Sequence, residues 1–330
     1  MKIIIDSAIP FIRGVFEPYC QVEYIDGRSF SHDRVADASA LIVRTRTRCN
    51  KELLEGSAVQ HIATATIGFD HIDTRYCCEQ SIGVSTAAGC NARGVLQWVG
   101  ALLAYASRHQ GWEPGQRTLG VVGVGNVGSL VSRYAALWGF KVLCCDPPRK
   151  EVEGGDFLSF EQLASQADII TLHTPLDHTT RHMISEESLR NVSPNCLIVN
   201  SSRGEVVDTR ALIESGNPFA MDVWEWEPEI STEALDKALI ATPHIAGYSL
   251  QGKANATTMA VRSTAQALDL PLLEWQSDAP QSHPYEISWQ ELLQTIDTKF
   301  DIEALSNHLK GHREQFEALR NNYDYRTEYF

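Results

Sequence analysis

The sequence predicts an α/β fold built from two units, each with its own parallel β-sheet. Short apolar runs alternate with amphipathic segments over residues 2–242, the pattern of strands joined by crossover helices. A glycine-rich turn separates such a run from a helical segment at residues 123–128. Polar residues follow the apolar runs, and loops after parallel strands share one edge of a sheet. These three observations indicate two Rossmann-like units with ligand sites at the strand ends.

The first unit contains five predicted strands, in KIIID, VEYID, ALIVRT, HIATATIG and a run ending at residues 82–84. The loops after the third and fourth strands lie where α/β proteins bind ligands. The loop after the third strand carries Arg44, Arg46 and Arg48, whose guanidinium groups suit a phosphate or a carboxylate. A solvated basic loop is the alternative.

A long helix is predicted over residues 95–107, leading into the stretch Leu119–Asp146. This stretch has the order strand, GVGNVG turn, helix and second strand of a dinucleotide-binding unit. Gly123 permits the tight turn, Gly125 lets the backbone approach a pyrophosphate, and Gly128 lets the helix pack closely on the strand. Asp146 lies where a ribose 2′-hydroxyl is bound, and its charge would repel a 2′-phosphate, so NAD is predicted rather than NADP.

The parallel pattern continues to residue 242. Ser159 and Gln162 form a predicted capping box, and Asp208 caps a helix that ends near Gly216. Further strands are predicted at residues 168–173, 196–200, 219–223 and 238–242. Their ends bring five polar residues to one sheet edge, where a cofactor would lie: Asp146, Thr174, Arg203, Asp222 and His244.

The remaining chain is predicted to be helical from Tyr248 to Leu268 and irregular over residues 271–284. One or two amphipathic helices and an aromatic, charged tail follow over residues 289–330. Such a tail can serve self-association or simply stabilise the fold, and the sequence leaves both open.

Composition excludes several classes of partner. The formal net charge of −14 argues against nucleic-acid and anionic-membrane partners. The N-terminal run is interpreted as a strand and not a signal peptide, and no apolar run approaches the ~18 residues of a membrane helix. The eight cysteines lack CxxC spacing, which favours reduced thiols in a cytoplasmic protein. His178 and His182 have i,i+4 spacing in a loop-like stretch, so no metal site is predicted.

Three residues suit hydride transfer from a 2-hydroxy acid. His244 can accept the hydroxyl proton, Glu227 can orient the imidazole, and Arg203 offers a two-pronged donor to a carboxylate. The alternatives are a satisfied loop histidine and a solvated carboxylate in the acidic run 225–229.

The passages GCNA, GVGNVG, NSSRGEVVD, MDVWEWEP and TPHIAGYS resemble, in order and spacing, the D-isomer-specific 2-hydroxyacid dehydrogenases over about residues 1–270. The resemblance implies a catalytic Arg203, Glu227 and His244. It also implies a flavodoxin-like substrate-binding domain (1–93 and 247–270) into which an NAD-binding Rossmann domain (94–246) is inserted.

RTRTRCN, ATATIGFDHIDT, HIAGYSLQGKANAT and LRNNYDYRTEY resemble the branch of this family that oxidises 4-phospho-D-erythronate on the route to pyridoxal 5′-phosphate. This likeness implies a C-terminal dimerisation segment (271–330), a homodimer and a 2-oxo acid as possible acceptor. It implies substrate contacts at Thr45, Thr66 and Tyr248, and NAD contacts at Asn126, Val127, Asp146, Thr174, Asp222 and Gly247. A 3-phosphoglycerate dehydrogenase and a non-catalytic NAD-binding corepressor are the alternatives.

Overall fold

A computed structural model describes residues 1–280 and 283–330. The predicted irregular stretch 271–284 includes residues 281 and 282, which lie outside the described residues. The strands are β1 (Lys2–Asp6), β2 (Gln21–Ile25), β3 (Ala40–Val43), β4 (His61–Thr64), β5 (Gly83–Thr86), β6 (Thr118–Val122), β7 (Lys141–Cys145), β8 (Ile169–Leu172), β9 (Leu197–Asn200), β10 (Phe219–Met221) and β11 (Ile240–Ala241).

The α-helices are mostly short, apart from three of 13 to 19 residues. In chain order they are α1 (His32–Val35), α2 (Lys51–Leu54), α3 (Thr74–Glu79), α4 (Ala92–Gln110), α5 (Asn126–Trp138), α6 (Pro147–Glu153), α7 (Phe160–Ala164), α8 (Glu186–Leu189), α9 (Thr209–Ser215), α10 (Thr232–Lys237), α11 (Leu250–Ala267), α12 (Trp289–Lys299), α13 (Ile302–Gly311) and α14 (Phe316–Asn321).

The described chain divides into two compact units. The first comprises residues 1–91 and 249–280, and the second comprises residues 92–248 and 283–330. The predicted C-terminal segment 271–330 is therefore shared between them. The assignment of substrate-binding, NAD-binding and dimerisation roles to these parts stays a prediction.

The first unit has a parallel sheet in the order β2-β1-β3-β4-β5. Successive residues of β1 point to opposite faces: Ile4 joins one apolar cluster, and Ile3 and Ile5 join the other. Helix α11 covers the second face with Ala260 and Val261. Burial on both faces explains why these strands are continuous apolar runs in the sequence.

The second unit has a parallel sheet in the order β11-β10-β9-β8-β6-β7. The predicted capping box at Ser159 and Gln162 begins α7, and Asp208 caps α9 by accepting from Ala211 N. The two sheets confirm the predicted fold class of two Rossmann-like units.

Residues 283–330 belong to the second unit and contain three α-helices, where the sequence predicted one or two. Their apolar side chains enter both of the clusters that flank the second sheet. Trp289 and Leu292 of α12 and the terminal Phe330 enter the apolar cluster formed by α4 and α5. A Cβ at Gly100 of α4 would lie 3.2 Å from the Phe330 ring, so the glycine makes room for that ring. The segment thus adds to the core of the second unit.

Three properties bear on the predicted class of protein. Among the helices described, none is both long enough and apolar enough to cross a membrane. No group of three or more His, Cys, Asp or Glu side chains suited to a metal ion occurs within residues 1–280 and 283–330. All eight cysteines lie in these ranges and are free thiols.

Candidate active site

The loops after the parallel strands of the second unit share one edge of its sheet. Asp146 follows β7, Thr174 follows β8 and Arg203 follows β9. Asp222 directly follows β10, and His244 follows β11. The structure therefore places these five residues at the ends of the strands that the sequence assigned to them.

The glycine-rich turn after β6 is built from contacts that exclude side chains. Gly123 has a φ of +82°, and a Cβ at Gly128 would lie 2.0 Å from the carbonyl oxygen of Gly123. A Cβ at Gly125, in contrast, would meet nothing within 4 Å. Gly123 and Gly128 are thus required by the turn itself, whereas the space at Gly125 is open to a ligand.

Several groups at this edge fit NAD. Gly125 is the N-cap of α5 and has no side chain to cap the helix, so backbone N–H groups remain available to a pyrophosphate. Asp146 accepts from Val124 N at 2.7 Å and from Arg149 N at 3.0 Å, which leaves further lone pairs for a ribose hydroxyl. The buried Thr174 Oγ1 and Ser201 Oγ have no hydrogen-bond partner in the described part. Such orphaned polar atoms are expected where a polar ligand binds.

His173 lies between β8 and Thr174, and its backbone is against the glycine-rich turn. A Cβ at Gly123 would lie 2.8 Å from the His173 carbonyl. The imidazole Nε2 is 3.0 Å from Thr171 Oγ1. Desolvation lowers the pKa of His173 to about 3, so this ring is neutral at physiological pH.

Asp222 orders the loop that carries His244. The residue is 1% exposed, and its carboxylate accepts from Thr242 Oγ1 at 2.5 Å, Ile245 N at 2.8 Å and Ala246 N at 2.9 Å. Its carbonyl accepts from His244 N at 2.7 Å. Burial raises the pKa of Asp222, although His244 and these donors oppose the effect. The bonds hold His244 at a φ of +57°, a conformation that side chains rarely adopt.

Glu227 and His244 form a hydrogen-bonded pair. Glu227 Oε2 is 2.8 Å from His244 Nδ1, and Glu227 Oε1 accepts from Trp224 N at 2.9 Å. Burial would raise the pKa of Glu227, but His244, Arg320 and the Trp224 N–H together hold it below its ordinary value. An ionised Glu227 fixes the Nδ1–H tautomer of His244, so Nε2 is the ring nitrogen available to exchange a proton.

Arg203 lies on a loop that closely approaches the loop leading to Glu227. Arg203 is the N-cap of a 3₁₀ turn over Gly204–Val206, and its guanidinium donates to Ser202 O at 2.7 Å. A Cβ at Gly204 would lie 2.0 Å from the carbonyl oxygen of Trp224. Gly204 therefore permits the contact that brings the Arg203 loop beside the Trp224–Glu227 loop.

The residues predicted to contact substrate in the first unit follow β3 and β4. Thr45 is exposed in the turn after β3. Arg44, in the same turn, donates to Ala8 O at 3.4 Å. Thr66 is half-buried after β4, with its hydroxyl 2.6 Å from Thr64 Oγ1. The third predicted residue, Tyr248, belongs to the second unit and receives a hydrogen bond from Arg320 Nε at 3.3 Å.

Arg320 and Arg326, which the sequence patterns did not indicate, also contact this site. Arg320 Nη1 donates to Glu227 Oε2 at 3.3 Å, and the buried Arg326 donates to main-chain carbonyls next to His244. Both residues lie in the LRNNYDYRTEY string that carried part of the resemblance. That string was the available signal, but it was interpreted as part of a dimerisation segment.

Comparisons with known proteins place this geometry in a family. The model of the D-isomer specific 2-hydroxyacid dehydrogenase NAD-binding domain matches residues 95–246. Erythronate-4-phosphate dehydrogenase of Bacteroides thetaiotaomicron is 45% identical, over 99% of this chain and 97% of its own. The chain belongs to the erythronate-4-phosphate dehydrogenase family. The erythronate-4-phosphate dehydrogenase of Proteus mirabilis is 38% identical, over 100% of this chain and 93% of its own.

A solved structure is also similar to this chain. An NAD⁺-bound 3-phosphoglycerate dehydrogenase from Entamoeba histolytica is 25% identical, with a TM-score of 0.71 over 84% of this chain and 98% of that one. As a member of the erythronate-4-phosphate dehydrogenase family, the chain is an NAD-dependent dehydrogenase of the 2-hydroxyacid class. This confirms the predicted cofactor and enzyme class, and the corepressor alternative is not favoured.

Proposed function

We propose that the protein oxidises 4-phospho-D-erythronate at C2 to (R)-3-hydroxy-2-oxo-4-phosphooxybutanoate, in the cytoplasm, as a step toward pyridoxal 5′-phosphate. The substrate is suggested by the name shared by relatives that match almost the whole chain. The single observation that carries the chemistry is the 2.8 Å contact between His244 Nδ1 and Glu227 Oε2. This contact orients the imidazole so that Nε2 can act as a base.

In the proposed reaction each residue has a distinct task. His244 Nε2 accepts the proton of the C2 hydroxyl, and Glu227 stabilises the imidazolium that forms. Arg203 binds the C1 carboxylate through paired donors and stabilises negative charge on the C2 oxygen. NAD bound along the strand ends of the second unit would supply the acceptor for the hydride that leaves C2.

The cofactor is proposed to lie along the strand ends of the second unit. Gly123, Gly125 and Gly128 would shape the turn beneath the pyrophosphate, and Asp146 would bind the adenosine ribose. Further NAD contacts are proposed, from the resemblance, at Asn126, Val127, Thr174, Asp222 and Gly247.

The phosphate and the rest of the substrate are proposed to be bound in part by the first unit. Arg44 and Arg46 are the proposed phosphate donors, supported by their place in the loop after β3. Thr45, Thr66 and Tyr248 are proposed to contact the substrate. A 2-oxo acid is the proposed acceptor that reoxidises the cofactor, and a homodimer is the proposed assembly.

The deciding experiment compares turnover of 4-phospho-D-erythronate and 3-phospho-D-glycerate by the purified protein, with a 2-oxo acid present and the oxidised product captured. We expect kcat/KM to favour the four-carbon acid by at least tenfold, about 1.4 kcal/mol of discrimination. Preference for the three-carbon acid would instead assign the protein to 3-phosphoglycerate oxidation. No turnover of either acid would contradict both assignments.

A further inference from the structure

The C-terminal segment of the second unit reaches the catalytic pair. Phe316 of α14 is buried in an apolar cluster with Leu309 of α13, which fixes the short helix on the unit. From the last turn of α14, Arg320 extends to the Glu227 carboxylate, where Nη1 donates to Oε2 at 3.3 Å. This is the same oxygen that contacts His244 Nδ1 at 2.8 Å.

Arg326 ties the same segment to the backbone around His244. Its guanidinium is buried and donates to the carbonyls of Ile245 at 3.2 Å and Tyr248 at 3.1 Å, and also to that of Ala246. Its Nη2 donates to Gly94 O at 2.6 Å, in the first turn of α4. The chain immediately after His244 is thus held by a side chain from the C-terminal tail.

The Arg320 contact has an electrostatic consequence as well as a geometric one. The side chains of Glu227, Arg320 and His244 are 17%, 26% and 28% exposed, so their charges are only partly screened by solvent. Two other titratable groups act on these three side chains. Asp222 accepts from the His244 backbone N–H, and the Tyr248 hydroxyl accepts a hydrogen bond from Arg320 Nε at 3.3 Å. The loop that carries Arg203 lies against Trp224 through Gly204.

We propose that Arg320 is a positioning residue for the Glu227–His244 pair, so that the C-terminal segment is part of the catalytic apparatus. Arg320 fixes the Oε2 lone pairs of Glu227, and its positive charge opposes protonation of the neighbouring imidazole. A base must be neutral at the start of the reaction, and a positive charge beside the pair favours that form. The proposal deepens the proposed function and rests on His244 as the base.

The test uses the full-length protein and the neutral variants Arg320→Gln and Arg320→Met, with Arg320→Lys as the charge-conserving variant. The matched control is Arg313→Gln, because Arg313 lies in the same segment but pairs with the exposed Asp236 at 3.3 Å. The pH dependence of kcat/KM is measured for each variant with the preferred phosphorylated acid. The pH at which the His244 ring signals change from neutral to protonated is followed separately by NMR.

We expect the acid limb of the pH profile and the His244 NMR transition to move up by about one pH unit in both neutral variants, the effect of one nearby unit charge on a partly buried group. At a pH below the acid limb, kcat/KM of each neutral variant should therefore be about tenfold lower than that of the wild-type protein. Arg320→Lys and Arg313→Gln should keep the wild-type midpoint. Two independent neutral variants keep the result decidable if one of them does not fold.

An unchanged midpoint in Arg320→Gln or Arg320→Met would overturn the proposal, even if thermal stability and kcat fell, because a structural role alone lowers rates without moving the profile. A shift of equal size in Arg313→Gln would also overturn it. The NMR transition needs no turnover. A wild-type protein inactive on both phosphorylated acids would therefore refute the proposed substrate, whereas the NMR comparison would still decide the role of Arg320.

Discussion

Replacing two glycines of the same turn by alanine should affect different properties, stability at Gly128 and NAD affinity at Gly125. At Gly128 a Cβ would lie 2.0 Å from the Gly123 carbonyl oxygen, 1.4 Å short of an ordinary 3.4 Å contact. The oxygen is a backbone atom and the backbone fixes the position of Cβ, so no side-chain rotation relieves the clash, and α5 must move away from β6. We expect Gly128→Ala to lower the free energy of unfolding by about 3 kcal/mol.

Gly125→Ala should instead affect cofactor binding. Because its Cβ meets no protein atom within 4 Å, the protein accommodates it, and the N-cap change costs about 1 kcal/mol or less. The methyl group would occupy the space into which the pyrophosphate must come. We expect the Kd for NAD to rise at least tenfold, about 1.4 kcal/mol.

The assays are urea unfolding for stability and calorimetric titration for NAD affinity. Gly115→Ala serves as the matched control, since its Cβ would lie an ordinary 3.9 Å from the nearest atom and the residue is outside the turn. The control should change neither quantity. Wild-type NAD affinity in Gly125→Ala would show that the pyrophosphate does not approach this residue, and wild-type stability in Gly128→Ala would refute the steric argument.

Three further predictions concern charge. Asp146→Ala should raise the Kd for NAD about tenfold and that for NADP less; titration of both decides it, with unfolding measured because Asp146 also caps α6. The folded-state pKa of His173 is lowered to about 3, so below pH ~6.5 the unfolded chain binds a proton that the folded protein does not. The free energy of unfolding therefore falls by up to about 1.4 kcal/mol for each pH unit of acidification. His173→Gln should lose about 1 to 2 kcal/mol less between pH 7 and 5 in urea unfolding, and equal losses would contradict the neutral ring. Arg46→Ala should raise KM about tenfold for the phosphorylated substrate but not for an unphosphorylated 2-hydroxy acid, and equal effects would exclude phosphate binding.

Much of the candidate site could be predicted because it depends on local chain properties. The apolar runs of the parallel strands, the GVGNVG turn and the polar residue after each strand are encoded within a few residues of one another. Parallel strands then bring their ends to one edge whatever the details of packing. Asp146, Thr174, Arg203, Asp222 and His244 follow from this rule.

The roles of individual side chains within that edge were harder to predict. Asp222 follows β10 as expected, but its carboxylate is turned inward onto Thr242 and the Ile245–Ala246 backbone, where it orders the His244 loop. Strand position gave no indication of this direction. The direction of the Asp222 side chain is set by burial, because a buried carboxylate is stable only where several hydrogen-bond donors surround it.

By itself, the sequence determined the two parallel sheets, the dinucleotide turn and the order of polar residues along the strand ends, because each follows from a short-range pattern. Only the tertiary structure decided that Arg320 contacts Glu227, which is 93 residues away along the chain. That contact depends on where the apolar residues of the C-terminal segment, Phe316 and Phe330, are buried. The packing of large side chains in a core is a property of the folded surface they meet, and no local pattern in the sequence records it.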